Sequence, residues 1–144
     1  MHADQRGGAR LLAEHLISLG HQDIVCVAGP QEWFEARERV AGWREAMGES
    51  ALRMRESVVG SWEARWGYAA GQRLLEQVLP DAVMCANDEV AVGLLRAFVE
   101  AGVNVPDDVS VTGFDDVPMA AYAGPGLTTV RQDFADTAST SSPW

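Results

Sequence analysis

Short apolar runs alternate along the chain with longer stretches in which apolar residues recur at helical spacing. The clearest run covers residues 82–86 and leads through Asn87, Asp88 and Glu89 into apolar positions that repeat every three to four residues. A short apolar run bounded by polar residues is typical of a strand that is covered on both faces. These residues therefore predict a buried strand followed by an amphipathic helix, with Asn87 in position to cap its first turn.

The same unit of strand and helix repeats along the chain. Strands are predicted at residues 24–28, 54–59, 82–86 and 109–114. Four helices are predicted, one before the first strand and one after each of the first three strands. Their apolar faces are marked by the pairs Leu12 and Leu16, Val40 and Trp43, Ala70 and Leu74, and Leu94 and Phe98. Glycine and proline are expected to end these helices, at Gly20, Gly48, Leu79-Pro80 and Gly102. Strands that alternate with helices predict an α/β fold, a doubly wound parallel sheet with helices on both faces.

Composition narrows the class of protein. The 144 residues are 47% apolar and 22% charged, as in one globular domain. The net charge of −10 and the lack of a basic run argue against direct nucleic-acid binding by these residues. No apolar run reaches membrane-spanning length, and no signal peptide is visible. Cys26 and Cys85 lie in predicted strands as small apolar groups, and without a cysteine framework the cytoplasm is the expected location.

Polar and aromatic side chains follow each predicted strand. In strand order they are Trp33, Arg37 and Arg39, then Ser61 and Trp62, then Asn87 and Asp88, then Asp115 and Asp116. We expect them to converge, because the carboxyl ends of parallel strands share one edge of the sheet, where such folds bind ligands. Arg, Asn and Asp can orient hydroxyl groups, and an indole packs on the C–H face of a pyranose. A carbohydrate, nucleoside or other small polyol is therefore the indicated ligand class.

Each of these side chains also has a simpler interpretation. Asn87 can serve as a helix cap and nothing more. Asp115 and Asp116 can form a solvated turn. Of the pair Arg37 and Arg39, one is expected to be a surface charge only. Trp62 can act as a lid on the core.

The motifs of the common enzyme classes are missing from the sequence. There is no Gly-x-Ser-x-Gly elbow, no phosphate loop, no Gly-x-Gly-x-x-Gly after a strand, and no zinc-ligand pair of His and Glu. None of His2, His15 and His21 follows a predicted strand. We therefore expect no catalytic residues, no metal and no cofactor.

A series of ordered motifs carries a resemblance to a known family. They are Glu14-His15-Leu16 with Leu19-Gly20-His21, Val27-Ala28-Gly29-Pro30, Arg39-Val40-Ala41-Gly42-Trp43, Asp81-Ala82-Val83, Ala86-Asn87-Asp88-Glu89-Val90-Ala91, Gly102-Val103-Asn104-Val105-Pro106-Asp107-Asp108-Val109-Ser110-Val111, Gly113-Phe114-Asp115-Asp116, and Leu127-Thr128-Thr129-Val130-Arg131-Gln132-Asp133-Phe134. In this order they resemble the effector-binding region of lac-repressor-type bacterial transcription regulators. The resemblance covers residues 3–134.

The resemblance implies a fold and a set of site residues. It implies one lobe of a type I periplasmic-binding-protein fold, whose two lobes hold a small effector, commonly a sugar or a nucleobase, between them. Arg39, Asn87 and Asp115 are then expected to hydrogen-bond the effector. Trp62 is expected to stack on it, and Phe134 to lie near the pocket floor. Trp33 falls in a loop that touches the ligand in relatives, although an indole there is not part of the general pattern.

The resemblance also implies an organisation larger than this chain. Residues 1–134 are expected to form the second lobe with its crossover edges, and 135–144 a disordered tail. The first lobe and the helix-turn-helix DNA-binding module are not found here, so operator DNA would be bound only through the missing module. A homodimer is expected, with no membrane partner. The alternative is a sugar-binding protein of a transport system, which shares the fold.

Overall fold

The computed structural model describes residues 4–52, 54–115 and 127–131. The helices are α1 (Gln5–Ser18), α2 (Phe34–Glu49), α3 (Ala64–Leu75) and α4 (Asp88–Glu100). The strands are β1 (Ile24–Ala28), β2 (Met54–Val58), β3 (Ala82–Cys85), β4 (Ser110–Asp115) and β5 (Leu127–Arg131). They form one five-stranded sheet in the order β2-β1-β3-β4-β5, and every neighbouring pair is parallel. The predicted doubly wound α/β fold is confirmed.

The sheet separates two apolar clusters, because successive side chains of a strand point to opposite faces. In β1, Ile24 and Cys26 belong to the cluster beneath α1 and α2, which is centred on Trp43. Val25 and Val27 of the same strand belong to the cluster beneath α3 and α4, where Phe98 is fully buried. Helices therefore cover both faces, as a parallel sheet requires.

Two glycines bring the backbones of α3 and α4 into contact. A Cβ atom at Gly67 would lie 1.8 Å from the carbonyl oxygen of Val90, and one at Gly93 would lie 1.8 Å from that of Ala64. No larger residue fits at either position without separating the helices. Because both contacts lie near the first turns of α3 and α4, they fix the two loops that enter these helices.

The helix ends are partly as predicted. Gly20 (φ +92°) and Gly102 (φ +79°) follow α1 and α4 in the left-handed conformation that glycine adopts readily. The prediction that Gly48 ends α2 is wrong: the helix continues to Glu49, and Ala51 takes the left-handed turn with φ +58°. The prediction that α3 extends to Leu79-Pro80 is also wrong, since its last residue is Leu75.

Both cysteine thiols are buried and free, as expected from their strands. Burial raises the pKa of Cys26 well above its ordinary value, and it also raises the pKa of Cys85. The thiols are thus protonated at neutral pH and act as small apolar groups. None of the helices within the described ranges is long and apolar enough to cross a membrane.

Candidate ligand site at the carboxyl edge of the sheet

Arg39 is the buried charge at the carboxyl edge of the sheet. Its side chain leaves the second turn of α2 and the residue is only 2% exposed. Its Nη1 donates a hydrogen bond to the carbonyl oxygen of Ala86, directly after β3, and its Nε donates to Oε1 of Gln5 at 2.9 Å. An arginine is rarely buried unless its guanidinium is held in place. Arg39 thus joins α1, α2 and the end of β3 at one point.

Two aromatic rings complete the surroundings of this guanidinium. The Cζ atom of Arg39 lies 4.3 Å from the ring centroid of Phe114, near the end of β4, and 5.5 Å from that of Trp62. Both distances are within the range of a cation–π contact. The β2–α3 loop, α2 and β4 therefore meet around one charged group.

The Trp62 ring packs against the backbone at Gly29, directly after β1. A Cβ atom at Gly29 would be 2.6 Å from Cη2 and Cζ3 of the Trp62 ring, so only glycine allows this approach. Trp62 itself is partly buried. It is therefore a fixed aromatic surface at the edge, and the need for glycine at position 29 could not be read from the sequence.

Asn87 caps α4, as its position predicted. Its Oδ1 accepts a hydrogen bond from the N–H of Val90 at 2.9 Å, and its Nδ2 donates to the carbonyl oxygen of Trp62 at 3.3 Å. The backbone of Asn87 is extended (φ −152°, ψ 174°), as is usual for an N-cap. The amide nitrogen has two hydrogens. Asn87 thus links α4 to the Trp62 loop and still offers a second N–H.

Trp33 and Arg37 differ from their neighbours by their exposure. Trp33 is 52% exposed and meets Trp62 edge to face, with ring centroids 6.4 Å apart and an interplanar angle of 79°. Arg37 is exposed, and its Nη1 donates to the carbonyl oxygen of Gln31 at 2.8 Å. Of the two arginines considered from the sequence, Arg37 is therefore the surface charge, and Arg39 is the buried one.

Asp88, which the sequence grouped with Asn87 after the third strand but not among the effector contacts, is a buried carboxylate. It is fully buried at the first position of α4, where the helix dipole favours a negative charge. A Cβ atom at Gly113 would lie 2.1 Å from its Oδ1, so the glycine of β4 makes room for the carboxylate. The close contact between Gly113 and Asp88 thus packs β4 against the start of α4.

For Asp115, Asp116 and Phe134, the structure describes only the backbone of Asp115. Asp115 is the last residue of β4, and its backbone stands in register with Arg131 of β5. The side chain of Asp115, and all of Asp116 and Phe134, lie outside the described residues. The edge therefore brings together Arg39, Trp62, Asn87 and Trp33.

The groups at the described edge are hydrogen-bond donors and aromatic rings. Within residues 4–52, 54–115 and 127–131, no group of three or more His, Cys, Asp or Glu side chains could hold a metal ion. His15 lies on α1, away from the carboxyl ends of the strands, and burial lowers its pKa. A guanidinium, an amide and two indoles can orient and cover a polar ring, which is the combination that small-molecule sites use.

Comparison with known proteins places this fold in a family. Residues 13–141 match the family described as the periplasmic binding protein-like domain. Over 128 residues the chain is 40% identical to the lactose operon repressor of Escherichia coli K12, covering 88% of this chain and 36% of the repressor. It is 38% identical over 128 residues to the ribose operon repressor of the same organism, covering 87% of this chain and 39% of that protein.

Solved structures of lac-repressor-type regulators have the same fold. A dimeric lac repressor with a C-terminal deletion superposes with a TM-score of 0.85 at 38% identity, over 92% of this chain and 49% of that one. A LacI family regulator from Enterococcus faecium with bound ribose has a TM-score of 0.82 at 32% identity, over 93% and 50% of the two chains. The chain spans 36% to 39% of the curated repressors cited above. By sequence and by fold, the chain belongs to the periplasmic binding protein-like domain family, in the form found in lac-repressor-type regulators.

Proposed function

We propose that this chain is the second lobe of the effector-binding region of a bacterial transcriptional regulator, with residues 1–134 as the lobe. Its carboxyl edge forms one wall of a cleft for a sugar or similar polyol. The observation that carries the proposal is the buried Arg39 between Trp62 and Phe114, beside Asn87. The family, whose cited relatives are named as operon repressors, supports a regulator over a transport protein and over an enzyme.

In this proposal Arg39, Asn87 and Asp115 hydrogen-bond the hydroxyl groups of the effector. Each such bond contributes about 1 to 3 kcal/mol when a charged group takes part. Trp62 stacks on the apolar face of the ring, with Trp33 and Phe134 adding aromatic surface. The geometry of Trp62 on Gly29 supports this role, since a fixed indole loses little freedom when a ligand stacks on it.

The effector would act by favouring one arrangement of the two lobes. A ligand with equal affinity for both arrangements shifts neither population. The intact regulator would be a cytoplasmic homodimer that binds operator DNA through a helix-turn-helix module outside this sequence. The net charge of −10 agrees with a lobe that does not itself touch DNA.

One wall alone should bind weakly. The ordering of a ligand opposes binding, and the lobe supplies only part of the contacts. We expect a dissociation constant no tighter than roughly millimolar for the isolated chain, which corresponds to about −4 kcal/mol. Calorimetric titration with a panel of pentoses, hexoses and their glycosides tests this value. Micromolar binding by the isolated chain would contradict the proposal that the cleft needs a second wall.

Paired arginine variants test the site itself. Arg39→Gln should weaken binding of any sugar that the wild type binds by about tenfold, because a charge-assisted hydrogen bond is lost. Arg37→Gln, two residues away on the exposed face, should leave the affinity unchanged. Circular dichroism of both variants checks that they are folded. Equal effects of the two substitutions would overturn the assignment of Arg39.

A further inference from the structure

Trp33 occupies a position at which helix chemistry favours other residues. It is the N-cap of α2, with an extended backbone (φ −91°, ψ 132°), and its side chain makes no capping hydrogen bond. Asp4 and Asn87 cap α1 and α4 through side-chain oxygens, as Asp and Asn commonly do, whereas Glu63 at the start of α3 makes no capping bond either. A residue that breaks a local rule without a structural gain is often a functional one. The indole of Trp33 therefore needs an explanation other than helix formation.

The loop that carries Trp33 is held in place by its own hydrogen bonds. The N–H of Trp33 donates to the carbonyl oxygen of Pro30 at 3.2 Å. The Nε2 of Gln31 donates to the carbonyl oxygen of Gly29 at 2.8 Å, and Arg37 donates to the carbonyl oxygen of Gln31. The indole thus projects from a backbone that is already ordered, and its position against Trp62 is defined.

Trp33 and Trp62 together form two aromatic walls at nearly a right angle. Their planes differ by 79° and their centroids lie 6.4 Å apart. Trp62 is backed by Gly29, whereas Trp33 remains 52% exposed, so part of its apolar surface faces solvent. A large exposed aromatic beside a polar site indicates a ligand with a matching apolar surface.

One sugar ring cannot match both walls. A pyranose is apolar on its two C–H faces, while its edge carries hydroxyl groups that need hydrogen-bond partners. A ring stacked on Trp62 would turn its hydroxyl edge toward the face of Trp33, which offers no acceptor. A second ring, joined to the first and rotated relative to it, can place its own flat face on Trp33.

We propose that Trp33 selects ligands in which a second six-membered ring is joined to the first sugar, either another sugar or an aromatic group. This inference rests on the proposed function, because the first ring is the one held by Trp62, Arg39 and Asn87. Trp33 then determines specificity for the length of the ligand.

Titration of the 144-residue chain with matched ligands tests the proposal. The probes are methyl β-glucoside, phenyl β-glucoside and cellobiose, and methyl β-galactoside, phenyl β-galactoside and lactose, with binding followed by NMR at the indole N–H signals. At least one two-ring probe should bind about five- to tenfold more tightly than its methyl parent, as expected for one added aromatic contact. The phenyl and disaccharide arms identify the second ring.

Three variants connect that preference to Trp33. Trp33→Ala should reduce the ratio to less than about twofold, and Trp33→Phe should keep most of it, because a flat ring remains. Phe34→Ala is the matched control, since Phe34 is the adjacent aromatic and is 60% exposed. Equal binding of one-ring and two-ring probes by the wild type would overturn this inference and leave the proposed function standing. A preference that survives Trp33→Ala would also overturn it, and so would the absence of binding by every two-ring probe. The proposed function, which allows sugars outside this set, is tested separately by the calorimetric titration.

Discussion

The two ends of the same sheet handle their polar groups in opposite ways. At the amino end, the carboxylate of Asp81 accepts hydrogen bonds from the N–H groups of Gln22 and Asp23 at 2.9 and 3.0 Å. Arg55 pairs with the carboxylate of Asp23, with Nη2 and Oδ2 3.1 Å apart. These groups satisfy one another within the fold, so this end serves stability.

The carboxyl end holds polar and aromatic groups that the fold uses only in part. Trp33 begins a helix without capping it, and half of its surface is exposed. Arg39 is a buried charge held by Gln5 and the carbonyl oxygen of Ala86, and the second N–H of Asn87 makes no hydrogen bond to the described residues. This contrast supports the proposal that ligands bind at the carboxyl end, where Trp33 departs from the usual choice of a helix-capping residue.

The largest effect is expected where α3 and α4 meet at the carboxyl end. Gly93→Ala should lower the free energy of unfolding by about 3 kcal/mol, because the new Cβ would overlap the carbonyl oxygen of Ala64, a backbone atom that cannot move aside. Urea denaturation measures the change.

Gly48→Ala is the matched control for that substitution. Gly48 is also helical, but a Cβ there has nothing within 4 Å. The variant should therefore be stabilised, by up to about 1 kcal/mol, since alanine favours helix. Equal losses at both positions would show that the contact between α3 and α4 is not the cause.

The cap of α4 should have the next largest effect. Asn87→Ala removes the hydrogen bond from the N–H of Val90 and the one to the carbonyl oxygen of Trp62, and should lower the free energy of unfolding by about 1 to 2 kcal/mol. Asn87→Asp keeps the capping oxygen and should recover most of that loss. Thermal unfolding of the wild type, Asn87→Ala and Asn87→Asp measures these differences. An alanine variant as stable as the wild type would refute the capping role.

At the start of α2, a residue that can cap the helix should stabilise the protein relative to alanine. Trp33→Ser and Trp33→Ala both remove the indole, but only serine can cap the helix. The serine variant should be more stable than the alanine variant by about 1 kcal/mol, as measured by denaturant unfolding. Identical stabilities would mean that the cap position of α2 is not available to a polar side chain.

The smallest effect concerns pH at the amino end. Hydrogen bonds from the backbone of Asp23 and Gln22 lower the pKa of Asp81 below its ordinary value. A lowered carboxyl pKa gives stability that is present above the unfolded pKa and is lost as pH falls through the folded one. The wild type should exceed Asp81→Asn in stability at pH 7 by less than about 1 kcal/mol, because the group is exposed. That difference should decrease as pH falls below about 4, the ordinary pKa of Asp, and disappear once the folded pKa has been passed. A difference that grows in acid would contradict this assignment.

The sequence was sufficient for the order of elements but not for their ends. Apolar spacing located four helices and the first four strands, because burial on two faces leaves a clear pattern. Gly48 was misleading because a glycine in an open position can stay helical while Ala51 makes the turn. β5 was not predicted as a strand from the apolar pattern; the resemblance singled out its residues.

The candidate site was predicted in its residue types but not in its contacts. That Arg39, Trp62 and Asn87 share one edge follows from parallel strands. The packing of Trp62 on Gly29 and the bond from Arg39 to Gln5 depend on tertiary distances that no local pattern encodes. Arg37 and Arg39 lie within one helix turn, so their spacing does not show which of them is buried. Only the structure identifies Arg39 as the buried arginine.

The most direct test of the central claim is a map of backbone and indole NMR shifts on addition of a saturating sugar or glycoside. If the carboxyl edge binds the ligand, shifts are expected at Arg39, Trp62 and Asn87, and none at Asp23 and Asp81 of the amino end. Shifts confined to the amino end, or no shifts with any probe, would contradict the claim that the carboxyl edge is the ligand-binding wall.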